Sequence, residues 1–577
     1  MPRAQRTLRA RLALTLLLVL ATVSVFVVRL VDIQVVQAAA LTEESTNRRS
    51  VPVTTYAPRG EILDANGEVL ADSTDRWDIT ASPRIALASR SDPLQASAEA
   101  IAAITGQDAA QIVSAIEAKP DADHAYLSRS VTLEQLRLIQ DLDISWLYDE
   151  YRPSRNYPLG SVAGNLVGFI GTDGPQAGLE ISQNDCLAST DGVSTYERGA
   201  DGVRLPGSTV TETQAEEGGT LQLTIDSDLQ FFVQQAIGQQ ATALGAESAN
   251  AVVMDADTGE LLAVADWPSV DPNNVDASGA DQLGAKTFSA PYEPGSTIKA
   301  VTAAGLLDAG DANPGSKVVA PYELEVGDGT IKDSFVHEDL QLTLAGVLQN
   351  SSNTGIAQLA EYQSVEQRHD YLQRFGFGRD TEVGFYGESG GLFAADADDW
   401  DSRTALNTTF GQGFSATAVQ IASAYQALAN DGVRMPVTLV KSCTAADGAV
   451  TQVPTGEGTR VVSADAADTT VRMLESVVQD GFLSNSLMID GYRVAAKSGT
   501  AEIAEGGVYT SDRVISIAGM APAEDPQYVV VATLTKPDTI KTSAGAAPTF
   551  REIMSHVLTT YRVPPSSQPA ELYPETW

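Results

Sequence analysis

Ser296 and Lys299, in Glu293-Pro294-Gly295-Ser296-Thr297-Ile298-Lys299, form the only Ser-x-x-Lys of a chain that holds nine lysines. On a helix, residues three apart share a face, so a lysine amine can stand beside a serine hydroxyl and take its proton. Two further motifs follow in order. Ser351-Ser352-Asn353 closes a helical stretch, and Lys497-Ser498-Gly499-Thr500 lies in an apolar, strand-like run. Together they read as a serine acyl-transfer enzyme whose base is lysine rather than histidine.

Singly, each motif is weak. Ser-x-Asn triplets begin at Ser45, Ser154, Ser182, Ser248 and Ser351, and most such serines are ordinary turn or cap residues. Order discriminates among them: only the Ser351 triplet falls between Ser296 and Lys497, and the chain has one Lys-[Ser/Thr]-Gly. Taken alone, Ser296 reads as a helix N-cap after Pro294-Gly295, and Lys299 as a solvated side chain. Two other matches lead nowhere. Gly387-Glu388-Ser389-Gly390-Gly391 resembles a hydrolase nucleophile elbow, but no apolar helix follows it. Asp257-Thr258-Gly259 is a single copy of a carboxylate motif that aspartic proteases need twice, so it is assigned to a turn.

The elements that must position these residues are legible in outline. Leu221 to Ile225 reads as a strand and Ser227 as the cap of a helix running to about Leu244. Ala251 to Met254 and Leu261 to Val264 flank the Asp257 turn as a hairpin, and Arg493–Ile503, Arg513–Ala521 and Tyr528–Thr535 add three late strands. One antiparallel sheet assembled from both ends of the domain is therefore expected. Helices over Ser296–Asp308, Ala416–Leu428, Ala464–Val478 and Pro548–Tyr561 would flank it. Further upstream, Ala57 to Ala71 has a hairpin pattern around Asn66-Gly67. Ala96 to Lys119 reads as helical, Pro158 to Glu180 as turns between short strands, and Pro564 to Trp577 as a loose tail.

Length bounds the whole at two to four domains for 577 residues. A formal charge of −38 argues against a nucleic-acid partner. Arg3, Arg6, Arg9 and Arg11 precede an uncharged run from Leu12 to Val28, about 25 Å long as a helix, so one membrane span is expected. The arginines place the N-terminus in the cytoplasm and the acidic remainder outside. A cleaved signal peptide with its site at Ala38-Ala39-Ala40 is the competing reading, weakened by Arg29 and Asp32 between the apolar run and those alanines. Cys186 and Cys443 are expected to be isolated thiols in different domains, although an exported chain can oxidise them.

With these residues in place, the chain resembles the class B penicillin-binding proteins, membrane-anchored peptidoglycan D,D-transpeptidases. The resemblance spans the arginine-led anchor, Arg59-Gly60 to Ala71, Glu293 to Lys299, Ser351 to Asn353, Gly411-Gln412-Gly413 and Lys497 to Thr500. Ile298 stands where the family often has an aromatic residue or valine, and Gln183-Asn184-Asp185 replaces a tyrosine-containing stretch after Gly178-Leu179-Glu180. The implied fold is α+β: a cytoplasmic tip and transmembrane helix (1–36), a mixed α/β pedestal or dimerisation domain (37–219), a transpeptidase domain with a five-stranded antiparallel sheet flanked by helices (220–563), and a tail (564–577).

The resemblance implies that Ser296 attacks the D-Ala-D-Ala bond of a stem peptide, with Lys299 as general base once desolvation and the Lys497 cation have lowered its pKa. Ser351 would relay a proton to the departing D-alanine and Asn353 would hold the donor amide. Lys497, Ser498 and Thr500 would face the terminal carboxylate, the backbone N–H groups of Ser296 and Thr500 would form the oxyanion hole, and Gly499 would let strand and substrate pass closely. No metal or other cofactor is implied. Expected partners are the D-Ala-D-Ala donor, an amine acceptor, β-lactams, the membrane, a SEDS-family (FtsW-like) glycosyltransferase and other division proteins. A septal role is favoured over side-wall elongation. A D,D-carboxypeptidase or β-lactamase would keep the fold and let water resolve the acyl-enzyme. A sensor or scaffold would need a cytoplasmic domain that the roughly eleven residues before the span are too few to form.

Overall fold

The computed structural model describes residues 3–577 apart from 172, 198, 200–204, 206, 328 and 507. Its first helix, α1 (Arg3–Val31), belongs to a segment over Arg6–Val36 that is long and apolar enough to cross a membrane, with none of its most apolar stretch buried in the protein. Such a helix satisfies its own backbone hydrogen bonds, which hydrocarbon demands.

The chain forms two compact units. The first comprises 1–58, 75–153 and 189–217. In it, Trp77–Ala81 pairs with Ala125–Val131 on one side and Leu147–Tyr151 on the other. Fully buried Trp146 packs with Ala81, Ile101 and Ile116. The helical stretch expected over 96–119 is two helices, Leu94–Thr105 and Ala109–Glu117, because Gly106 takes a left-handed φ of 77° and closes the first.

The second unit comprises 59–74, 154–188 and 218–577. Its centre is an antiparallel sheet of β1 (Ser248–Asp255), β2 (Leu261–Trp267), β3 (Ala495–Glu505), β4 (Val508–Ala521) and β5 (Tyr528–Thr535), in the order β2-β1-β5-β4-β3. These strands read as continuous apolar runs because both faces are covered. Ala251, Val253, Ile515 and Val530 pack on α2 (Ser227–Leu244). Val252, Met254, Ala518 and Val531 face the opposite layer, built from α3 (Lys299–Asp308), α4 (Leu344–Asn350), α5 (Asn353–Ala360), α6 (Ala418–Ala429) and α7 (Ala464–Asp480). Helix α8 (Ala547–Thr560) packs with α2, contributing Phe550, Ile553 and Met554 to the first face.

Several local expectations are corrected. Asp226, not Ser227, caps α2, accepting from the N–H groups of Asp228 and Leu229; Ser227 Oγ donates instead to Asp64 at 2.7 Å. The strand read at Leu221–Ile225 does form, as Thr220–Leu223, in a separate sheet where Leu221 pairs in parallel with Ile62 of the upstream hairpin and antiparallel with Cys443. Residues 158–180 include two short helices, Gly164–Val167 and Gly178–Ser182, as well as turns. Cys186 and Cys443 are not isolated thiols: both lie in the second unit and are joined as a disulfide, with Cα atoms 6.0 Å apart. Chain folding brings together two residues separated by 257 positions, a proximity that sequence distance concealed. Nor is the end of the chain loose. Leu342 pairs with Thr576, and the Pro574 carbonyl accepts from Thr343 Oγ1 at 2.6 Å.

Candidate active site

Ser296 sits on a single 3-10 turn, Gly295–Ile298, and α3 begins only at Lys299. An α-helix starting at Ser296 was the expectation. The tighter turn keeps the required geometry, since residues three apart eclipse one another in a 3-10 helix. Gly295 has a φ of 56°, its N–H donates to the Gly411 carbonyl at 2.9 Å, and a Cβ on Gly411 would lie 2.1 Å from the Gly295 oxygen. Gly411-Gln412-Gly413 is thus the backing on which the turn rests. From the core side, buried Tyr425 donates its hydroxyl to the Thr297 carbonyl at 2.8 Å. Glu293 accepts from Gly413 N at 2.9 Å and from the Tyr509 hydroxyl at 2.9 Å, tying the same loop to β4.

Lys299 and Lys497 are both fully buried. Lys299 Nζ donates to the Ser351 carbonyl and to Asn353 Oδ1, the latter at 2.7 Å, and lies 3.4 Å from Ser351 Oγ. Lys497 Nζ, reaching from β3, donates to the same Ser351 Oγ at 2.9 Å. Burial holds the Lys299 pKa well below the ordinary lysine range, and the Lys497 charge lowers it further while Asp333 pulls the other way. Burial alone brings Lys497 down to about 7. Two amines of lowered basicity therefore flank one hydroxyl. An uncharged amine so placed can accept a proton, and the hydroxyl can pass one on.

Ser351 is the left-handed C-cap of α4, with φ 55° and ψ 34°, a conformation uncommon for a residue with a Cβ. What holds the next three residues is Asp333, which sequence reasoning missed. Its carboxylate accepts from Ser352 Oγ at 2.7 Å, Asn353 N at 2.5 Å and Thr354 N at 3.0 Å, and pairs with His337 Nε2 at 3.1 Å. It thus satisfies free donors at the N-terminus of α5 and complements that end's positive dipole. No motif marks Asp333; only the fold brings it to Asn353.

A cavity of about 600 Å³ opens over these groups, lined by Ser296, Ser351, Asn353, Ser498 and Thr500. Its walls include Phe335 and Phe482, both aromatic and exposed. The Thr500 hydroxyl accepts from Ser543 N at 3.1 Å. Gly499 is differently placed from the expectation. A side chain there would meet Ser516 Oγ at 2.4 Å and the Pro294 oxygen at 2.9 Å, so the glycine makes room for the Ser296-bearing segment against β3 rather than for a bound chain.

Residues 249–555 match the family model described as the penicillin binding protein transpeptidase domain. The chain belongs to that family. It is a class B member and a peptidoglycan D,D-transpeptidase. Residues 54–223 match the penicillin-binding protein dimerisation domain. Penicillin-binding protein PbpB of Mycolicibacterium smegmatis is 37% identical over 588 residues, covering 96% of this chain and 90% of its own. Peptidoglycan D,D-transpeptidase FtsI of Escherichia coli is 30% identical, covering 93% and 90%. The crystal structure of penicillin binding protein 3 from Mycobacterium tuberculosis, complexed with aztreonam, superposes with a TM-score of 0.70 at 31% identity over 90% of this chain and 99% of that one.

Elsewhere in the transpeptidase, the motifs set aside in the sequence are ordinary structure. Ser389 Oγ accepts from Gly391 N at 3.2 Å in an irregular segment. Asp255, rather than Asp257, organises the β1–β2 turn by accepting from Thr258 N at 2.9 Å. Glu180 is fully buried between Arg59 and Arg155, each 2.6 Å away, and the substituted Asn184 accepts from Arg59 at 2.8 Å.

Proposed function

We propose that Ser296 is the nucleophile that takes the donor acyl group, with Lys299 as its general base and Ser351 as the relay returning a proton to the departing D-alanine. The observation that carries this reading is the Ser351 hydroxyl, 2.9 Å from one buried amine and 3.4 Å from the other, beside the Ser296 turn. Asn353 holds the donor amide; Lys497, Ser498 and Thr500 receive the terminal carboxylate. The N–H groups of Ser296 and Thr500 form the oxyanion hole, where preorganised donors lower the cost of the developing charge. β-Lactams enter the same route because their strained amide mimics the scissile bond. Support comes from the solved relative of Mycobacterium tuberculosis, whose crystal structure is a complex with aztreonam.

The same proposal places the enzyme in septal wall synthesis, its N-terminus cytoplasmic and its catalytic unit outside. The SEDS-family glycosyltransferase that supplies glycan strands would be its partner. Likeness to FtsI over 93% of the chain supports the septal reading, and the arginines before Leu12 support the orientation. Labelling with a fluorescent penicillin followed by peptide mapping tests the site: the adduct is expected on Ser296, and an adduct on Ser389 or any other serine refutes the assignment. Protease added to wall-stripped cells tests the orientation, which fails if the Ser296 region is fully protected.

A further inference from the structure

Residues 573–577 pack on the second unit, and one of them, Glu575, lines the cavity that holds Ser296. The Thr343 N–H donates to the Glu575 carbonyl at 3.0 Å, and Tyr573 N donates to Ser476 Oγ of α7 at 3.1 Å. At Gly346 a Cβ would lie 1.9 Å from the Glu575 oxygen, so this glycine lets the segment lie directly on α4. The fit orients one side chain. Glu575 lines the cavity that holds Ser296, and its Oε1 accepts from Asn350 Nδ2 at 2.9 Å, one residue before Ser351. Asp480, the last residue of α7, lines the same cavity.

We propose that this end of the cleft receives the acceptor, with Glu575 and Asp480 drawing in the cationic amine of the second stem peptide. The inference rests on the proposed relay role of Ser351. The departing amine takes its proton from Ser351, and by microscopic reversibility the incoming amine arrives at that same point and surrenders a proton there. Asn350 adjoins Ser351 in the chain, and its amide holds Glu575 at the wall of the same cavity. A free amine is an ammonium at neutral pH. Carboxylates in a walled cleft raise its local concentration, and an oriented acceptor outcompetes bulk water. The ammonium gives one proton to water. Its nitrogen then forms the C–N bond as the Ser296 ester C–O bond breaks, and the second N–H proton passes through Ser351 to Ser296 Oγ.

The test uses the full chain with a D-alanyl thioester donor. It measures the ratio of aminolysis to hydrolysis products, in which any change in acylation rate cancels. With a lysine-bearing stem tripeptide as acceptor, E575Q and D480N should each lower the ratio about 3- to 10-fold at subsaturating acceptor, and added salt should shrink the difference. In E575Q the new amide oxygen can still accept from Asn350, so the segment keeps its seat. With hydroxylamine, uncharged at neutral pH, the ratio should not move. An unchanged ratio with the tripeptide overturns the proposal, as does an equal loss with both nucleophiles. Acyl-enzyme mass at Ser296, read separately, tests the site assignment independently.

Discussion

Lys497 Nζ on β3 lies 2.9 Å from Ser351 Oγ at the end of α4, joining a strand to a helix cap 146 positions away in the chain. That contact draws two of the three motifs into one cavity, and Lys299 closes the arrangement from the third. Both lysines are desolvated, so their charge states govern the site.

Acylation should accordingly show a bell-shaped pH dependence. On the proposed roles, it rises as Lys299 loses its proton and falls as Lys497 loses the charge proposed to receive the substrate carboxylate, the falling limb of the free enzyme lying near 7. Second-order acylation rates with benzylpenicillin across the pH range test this. Lys497→Arg should push the falling limb to alkaline pH because guanidinium keeps its proton; an unshifted limb would assign it to another group.

The same burial has a stability signature. Both lysines bind protons less readily folded than unfolded, so Lys497 should make stability rise with pH from about 7 toward the ordinary lysine value of 10.5 and fall as pH drops through that window, and Lys299, its pKa also lowered, should act in the same direction. Lys497→Met should raise stability at neutral pH by ~1–4 kcal/mol while abolishing turnover. Denaturant midpoints at neutral and alkaline pH decide it: a variant no more stable than the parent at neutral pH contradicts the argument.

Asp333→Ala should destabilise the protein by about 2–3 kcal/mol, since it strands the Asn353 and Thr354 N–H groups and the Ser352 hydroxyl. Penicillin acylation should fall about 10- to 100-fold, because Asn353 loses its register beside Lys299. Chemical unfolding together with single-turnover acylation measures both effects. Wild-type acylation in the variant would leave Asp333 with a purely structural role.

Gly411→Ala should cost more than Gly448→Ala. Both glycines have φ near 85°, at 84° and 87°, but only Gly411 has a neighbour in the way, the Gly295 oxygen at 2.1 Å. About 1 kcal/mol is expected at the open site and over 2 kcal/mol at the crowded one. Slowed acylation should accompany only the second. Equal costs and equal rates would mean that the loop does not support the Ser296 turn.

The sequence by itself determined the chemistry class and most of the scaffold. Motif order singled out Ser296, Lys299, Ser351 and Lys497, the apolar runs at 251–254 and 528–535 announced strands covered on both faces, and Leu12 to Val28 announced the apolar span. Those signals are local, because periodicity, charge and residue spacing act over a few residues of chain. Tertiary structure decided the rest. Asp333 reaches Asn353, Cys186 reaches Cys443, and Glu575 reaches Asn350 only when distant segments pack. No residue type marks such pairs in advance, since an exposed and a buried carboxylate are the same letter until folding removes the water and supplies the donors.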